Sequence, residues 1–180
     1  MIRLEQADIW VNDRFLELGL EVLIADETLV NRRLRFVFFT IDHYFNVKAQ
    51  NYNLSTHRVV FLTQGPGYNF LNDLNMYRID TRSDLDDLRR FIVELSCDLD
   101  KREPLKSKGV RLTLRDRLII EQLSVGVNVS EIANINQIHY KTVCQIRQDL
   151  IRKLGCENQV EFMEILRSDV FKRWVINNAT

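Results

Sequence analysis

Hydrophobic residues recur every three or four positions in the last third of the chain, which is the spacing of amphipathic helices. One such pattern runs from about Tyr140 to Leu154. Its apolar positions are Val143, Ile146, Leu150, Ile151 and Leu154. A shorter pattern covers residues 130–135 and begins at Ser130, whose hydroxyl suits a helix N-cap. The spacing predicts two helices joined by a tight connection.

Two further helices are predicted on either side of this pair. The earlier one covers about Leu114 to Val125, with Thr113 as its N-cap, Asp116 completing an imperfect capping box and Gly126 ending it. The later one begins after Asn158 and continues through Leu166. Together the four patterns predict an all-α, four-helix domain.

The first half of the chain has a different pattern. Residues 34–41 (LRFVFFTI) and 58–63 (RVVFLT) are dense in β-branched and aromatic residues, which predicts central strands buried on both faces. Residues 1–11 and 76–79 predict shorter strands. Residues 13–25 predict a helix that is apolar on more than one side and therefore well buried. Residues 81–96 predict another helix, with Ser83 as a plausible cap.

Alternating strands and helices indicate a mainly parallel α/β sheet. Residues 68–74 predict a short helix between two of the strands, after the break at residues 65–67 (GPG). Residues 99–109 are charged and contain Pro104, which is typical of a linker. We therefore predict an α/β regulatory or dimerisation domain over 1–98, a linker over 99–109, and an all-α domain over 110–180.

Composition excludes several classes of protein. Hydrophobic residues make up 46% of the 180, enough to build cores, yet no apolar run reaches the roughly 18 residues of a membrane helix. The first ten residues lack the layout of a signal peptide, so we expect a cytoplasmic protein with no membrane partner. Three scattered cysteines and three isolated histidines do not form a disulfide framework or a metal-binding pattern. No cofactor and no catalytic set is indicated.

The net charge of zero conceals an asymmetry. Residues 1–100 carry 11 basic and 16 acidic residues, whereas residues 101–180 carry 14 basic and 9 acidic residues. The C-terminal half is therefore the one suited to a polyanion.

Polar and cationic side chains occupy the face of the 140–154 helix opposite its apolar stripe. They are Lys141, Thr142, Gln145, Arg147, Gln148 and Arg152. Such a face on a helix-turn-helix suits the DNA major groove, and Gln145 suits adenine in particular. Taken alone, the same face is equally compatible with an ordinary solvated helix.

Four sequence segments in the C-terminal domain carry a family resemblance. They are LTLRDRL from Leu112, LSVGVNVSEIA from Leu123, IHYKTV from Ile138 and IRKLGCEN from Ile151. Together, in register, they resemble the LuxR/NarL-type helix-turn-helix of bacterial transcription regulators. The resemblance implies four helices, of which the third enters the DNA major groove and the fourth often contacts a second copy.

The resemblance also implies roles for single residues. Thr142 and Val143 would lie at or near the DNA, and Lys141 and Lys153 would meet phosphates. With the polar face, the predicted DNA-binding residues are Lys141, Thr142, Val143, Gln145, Arg147, Gln148, Arg152, Lys153, Ser130 and His139. His139 is equally compatible with an exposed turn residue.

The chain departs from the family pattern at four positions of this domain. The family usually has Leu at Asn136, a Lys or polar residue at Cys144, often His at Ile146, and Arg at Gln159. Cations are therefore lost at two positions, which predicts weaker autonomous binding or an altered site preference.

The N-terminal half looks like a shortened receiver domain that has lost its chemistry. Asp42 and Thr63 fit the phosphoacceptor and hydroxyl positions at the ends of two strands. Only Asn12 and Asp13 stand where a receiver has its Mg²⁺-binding acids, and Asp80 or Thr81 stands near the place of its Lys. We expect Asp42 to be a structural strand-end residue, with phosphorylation as the alternative.

These observations predict a bacterial DNA-binding transcription regulator that acts independently of phosphorylation. Its partners would be double-stranded DNA and either a second copy or a second response regulator. The alternative is a protein-interaction module that modulates a partner regulator with little DNA contact of its own. Neither is an enzyme.

Overall fold

The computed structural model describes residues 2–3, 7–25, 34–64, 68–71, 74–97 and 110–177. Within these ranges the chain forms two compact units. The first contains the described residues of 1–64 and 73–106, and the second contains those of 65–72 and 107–180. The predicted linker over 99–109 lies outside the described residues.

The first unit is built on a five-stranded sheet in the order β1-β2-β3-β4-β5. Its strands are β1 (Ile2–Arg3), β2 (Ala7–Trp10), β3 (Arg35–Phe39), β4 (His57–Thr63) and β5 (Tyr77–Asp80). β1 pairs antiparallel with β2, whereas the pairs from β2 to β5 are all parallel. The prediction of a mainly parallel sheet is therefore confirmed.

Both faces of the central strands are buried, as their continuous apolar sequences predict. On one face, Phe36, Phe38, Val60 and Leu62 join a core with apolar residues of α1 (Arg14–Ala25) and α3 (Leu85–Ser96). On the other face, Phe39 stacks on Phe61 and packs near Tyr44 of the short helix α2 (Tyr44–Ala49).

Two helices of this unit differ from their predictions. The N-cap of α3 is Asp84, whose side chain accepts from the amide of Asp87, and not Ser83. The prediction that α1 is buried on several sides is wrong, because Phe15, Leu18 and Val22 are 87%, 42% and 74% exposed. These three residues follow one another at helical spacing and form an exposed apolar stripe along α1.

The second unit is helical. Its helices are α4 (Leu114–Ser124), α5 (Val129–Ile135), α6 (Tyr140–Leu154), α7 (Gln159–Arg167) and α8 (Asp169–Asn177). The predicted fold class, an α/β receiver-like unit with an all-α helix-turn-helix unit, is confirmed. The described helical unit nevertheless has α8 as a fifth helix, where four were predicted.

Local sequence signals set the ends of these helices. Thr113 and Asp116 make both bonds of a capping box at the start of α4, and Asn158 caps α7. Gly126 (φ +88°) and Gly155 (φ +70°) have left-handed backbone after α4 and α6. Glycine adopts this conformation without steric cost, which explains why each helix stops where it does.

The helical unit also contains a short segment from an earlier part of the chain, Tyr68–Leu71. No helix forms in this described segment, contrary to the prediction. Phe70 is fully buried, with its ring 5.4 Å from that of Phe171 and 4.9 Å from that of Trp174. Residues 68–71 thus supply an aromatic side chain to the core beside α8, although the predicted domain ranges place them in the N-terminal domain.

Candidate nucleic-acid interface

The helices α5 and α6 form a compact pair joined by a four-residue turn. Asn136 ends α5, and its side-chain amide donates to the Gln122 side chain (2.8 Å) and to the Ile132 carbonyl (2.7 Å). Gln137 has positive φ (+53°), which reverses the chain before α6. Asn136, which departs from the family pattern, therefore ties this turn to α4.

One face of α6 is open to solvent. Residues at i, i+3, i+4, i+7 and i+8 lie on the same side of an α-helix. On this side α6 exposes Lys141, Thr142, Gln145, Gln148 and Arg152, with the half-buried Asp149 among them. The face carries two cations and three neutral hydrogen-bonding side chains, a set that suits phosphates and base edges.

Asp149 organises the middle of this face. Gln145 Nε2 donates to Asp149 Oδ1 over 3.1 Å, and the guanidinium of Arg152 pairs with the same oxygen. The three residues sit on successive turns of α6, so the contacts are all local. Gln145 and Arg152 are consequently held in defined positions before any ligand arrives.

Five of the ten predicted DNA-binding residues are not on this face, and Val143 and Arg147 are two of them. Val143 is fully buried, so its side chain packs in the core of the helical unit and not on this face. Arg147 is half-buried, and its Nε lies in the protein interior. It follows Gln145 by two residues, which corresponds to a rotation of about 200° around the helix axis. Arg147 therefore faces a different side of α6 from Gln145, although both were predicted to lie on one face.

Lys153 has a structural partner. Its ammonium lies 2.7 Å from Oδ2 of Asp116, which also accepts from the Thr113 amide at 3.0 Å. Burial disfavours the Asp116 carboxylate, but the bonds from Lys153 and Thr113 outweigh it and lower the pKa of Asp116. Lys153 thus fixes the end of α6 against the start of α4, which leaves its proposed phosphate contact without support from the free protein.

Ser130 and His139 lie at the starts of the two helices. The N-cap of α5 is Asn128, which accepts from the Glu131 amide at 3.0 Å, so Ser130 is an exposed residue of the first turn and not the cap. His139 is the N-cap of α6, and its Nδ1 accepts from the Lys141 amide at 3.1 Å. Sequence inspection missed this capping role of His139.

The strand ends of the α/β unit show where a receiver would hold its phosphoacceptor. Asp42 lies in a 3₁₀ turn (Ile41–His43) beyond the end of β3, so its placement as the last residue of a strand is wrong. The side chain of Asn12 contacts two residues of this turn. Its Nδ2 lies 3.4 Å from Asp42 Oδ2, and the Oδ1 of Asn12 lies 2.9 Å from His43 Nε2. Asp13 instead caps α1, accepting from the Phe15 amide at 2.8 Å.

The other receiver positions are occupied by internal contacts. The Thr63 hydroxyl is nearly buried and donates to the Ile79 carbonyl at 3.3 Å. Asp80 stands near the place of the missing Lys. The Arg82 guanidinium pairs with both oxygens of Asp80 and lowers the pKa of that carboxyl to about 2. Among the described residues, no group of three His, Cys, Asp or Glu side chains converges on a metal position.

The three cysteines are free thiols, of which Cys97 is exposed and Cys144 and Cys156 are half-buried. Burial raises the pKa of the Cys156 thiol to about 12, and the nearby charge of Glu161 adds to this effect. A thiol protonated at neutral pH is a poor nucleophile.

The described helices are all too short or too polar to span a bilayer.

Solved structures with the same arrangement of elements are response regulators named RcsB. An RcsB–DNA complex matches 97% of this chain and 98% of that chain, with a TM-score of 0.66 at 15% identity. A structure of two RcsB dimers bound to two parallel DNAs matches the same shares with a TM-score of 0.59 at 15% identity. RcsB of Salmonella typhimurium matches 91% of this chain and 99% of that chain, with a TM-score of 0.52 at 16% identity.

These matches show that the chain shares the fold of these RcsB structures over nearly its whole length. No protein-family model matches the sequence, and no curated protein matches it.

Proposed function

We propose that this protein is a DNA-binding transcription regulator and not an enzyme. The observation that carries the proposal is the exposed face of α6, which presents Lys141, Thr142, Gln145, Gln148 and Arg152 from a helix-turn-helix. A helix held in this way fits the major groove, where its cations neutralise phosphates and its amides bond base edges. The fold it shares with RcsB, which has been solved bound to DNA, supports the same role.

The α/β unit offers a surface for pairing with a second copy. Phe15, Leu18 and Val22 form the exposed apolar stripe of α1, and Leu85 of α3 is also 54% exposed. Val22, Leu85 and Arg89 line one shallow pocket of about 340 Å³. Exposed apolar groups grouped in this way are characteristic of an interaction surface.

A second copy is the proposed occupant of this surface. A two-fold arrangement repeats every contact, so the apolar stripe of each copy can lie against that of the other. This arrangement gives a homodimer, and a second response regulator with a similar surface would give the heterodimer.

Selection of bound sequences from a pool of random duplex DNA tests both parts of the proposal. The full chain should enrich a two-fold symmetric site, with half-sites about one helical turn apart, because each α6 reads one half-site. Recovery of no enriched sequence would contradict DNA reading by this protein alone.

A variant tests the pairing surface in the same selection. Phe15→Ser with Val22→Ser removes the apolar contact without touching the helical unit. It should elute as a monomer and enrich single half-sites. A wild-type chain that is monomeric on its own but dimeric with a second regulator would favour the heterodimer.

The contacts made by the residues at receiver positions support regulation without phosphorylation. Metal-bound phosphoryl transfer requires carboxylates for Mg²⁺ and a cation for the phosphoryl oxygens. Here Asp13 caps α1, and Asp80 pairs with Arg82.

We expect acetyl phosphate with Mg²⁺ to leave DNA affinity unchanged, and the Asp42→Asn variant to bind as the wild type does. Intact mass should show no phosphoryl addition. A Mg²⁺-dependent phosphoryl group on Asp42, absent from the Asp42→Asn variant, would refute phosphorylation independence.

The second candidate function is an interaction module that modulates another regulator. The observation in its favour is the apolar stripe on α1, together with a carboxylate, Asp149, on the face that would meet DNA. In that case the dimer surface would remain essential, whereas substitutions on α6 would leave regulation unchanged.

A further inference from the structure

Asp149 is the single acidic residue of α6, and it stands on the face proposed to enter the major groove. Its side chain is 40% exposed, so it is open to a ligand that approaches this face. A carboxylate repels DNA phosphates, which makes its place among DNA-facing cations costly unless it meets a hydrogen-bond donor.

The contacts of Asp149 leave it oriented for such a donor. Gln145 and Arg152 both bond Oδ1, from one turn before and one turn after. Neither of these two contacts involves Oδ2 of Asp149. The carboxylate is thus fixed through Oδ1, whereas Oδ2 takes part in neither contact.

The major groove offers few donors that match a fixed acceptor. Cytosine presents its N4 amino group there, and guanine and thymine present acceptors at O6 and O4. Adenine also has an amino group, but its adjacent N7 is an acceptor and would repel the other oxygen of the Asp149 carboxylate. Cytosine is therefore the base whose edge Asp149 accommodates best.

We propose that Asp149 is a specificity-determining residue that selects cytosine at one position of each half-site. This inference rests on the proposed DNA binding. Gln145 and Arg152 act as positioning residues, because they fix the carboxylate that reads the base. Asp149 also weakens binding to unrelated sequences, since its charge faces their phosphates and acceptor edges.

The test uses the full chain and the DNA site selected by the wild type, with every base pair of one half-site replaced in turn. At one position the wild type should prefer cytosine by about fivefold or more. Asp149→Asn keeps the size of the side chain but removes the charge and adds a donor. It should lose this preference at that position alone, and its affinity for unrelated DNA should rise.

Asp169→Asn is the matched control. Asp169 is a 93% exposed carboxylate on α8, paired with Lys172, so the variant changes the net charge by the same amount away from α6. It should keep the cytosine preference. If Asp149→Asn keeps the base preferences of the wild type at every position, or changes affinity equally on all sequences, the inference is wrong although DNA binding stands. If the wild type selects no sequence, the proposed function fails and this inference with it.

Discussion

Replacing Phe70 with Ala is expected to destabilise the helical unit by about 3–5 kcal/mol, the usual cost of deleting a buried aromatic ring. Phe70 is fully buried and meets the rings of both Phe171 and Trp174. Its removal leaves a cavity beside α8 that the surrounding aromatic side chains cannot fill. The measurement is denaturant unfolding followed by the fluorescence of Trp174 in a Trp10→Phe background, which leaves one tryptophan.

Leu114→Ala is the control for this variant. It shortens an apolar side chain of the same helical unit that is 80% exposed, so the free energy of unfolding should change by no more than about 0.5 kcal/mol. An equal effect of the two substitutions would mean that Phe70 is not part of the helical core.

The same segment fixes the end of α6. Asn69 donates to the Gly155 carbonyl at 3.1 Å, and a Cβ on Gly155 would stand 2.8 Å from the Asn69 Cβ. Gly155 is therefore constrained twice, by its positive φ and by this close approach. A helical fragment that starts at Ser107 lacks both Asn69 and Phe70, so we expect it to be less stable than the same helices in the full chain.

Helices with strong periodicity were predictable because their signals are local. The bounds of α6 follow from its apolar spacing and from Gly155, and the capping box of α4 follows from two residues three positions apart. Where two capping residues stand close together, as with Asn128 and Ser130, the sequence alone did not distinguish them. The helix α8 was missed because its pattern follows α7 after a single intervening residue.

Burial depends on neighbours that are distant in sequence, and for α1 and Phe70 the sequence did not predict it. Phe15 and Val22 have the spacing of core residues, yet the sheet covers only the opposite side of α1. Phe70 follows a glycine-proline break without any periodicity, and nothing local shows that it packs on α8. For the candidate site, the sequence identified the exposed face of α6 but placed Arg147 on it, whereas Asp149 went unnoticed. Val143, which the sequence placed in the apolar stripe, is buried there.

The substitution expected to affect function most is Lys141→Ala with Arg152→Ala. Both residues are exposed on α6, so their removal should leave folding unchanged. Each charge-assisted hydrogen bond to a phosphate is worth about 1.5 kcal/mol or more, so removing both should weaken DNA binding roughly 100-fold.

The matched control removes two charges from other helices of the same unit. Arg167→Ala with Lys172→Ala changes exposed residues of α7 and α8 and lowers the net charge by the same amount. A general attraction between a basic unit and DNA would weaken equally in both double variants, whereas binding through α6 would weaken only in the first.

The most direct measurement is the affinity of these proteins for the selected DNA site across a range of salt concentrations. If α6 enters the groove, the slope of log affinity against log salt should become shallower by about 0.9 for each phosphate that the α6 variant no longer neutralises, and stay unchanged in the control. An unchanged affinity and slope in the Lys141→Ala, Arg152→Ala variant would contradict the account of α6 as a DNA-reading helix.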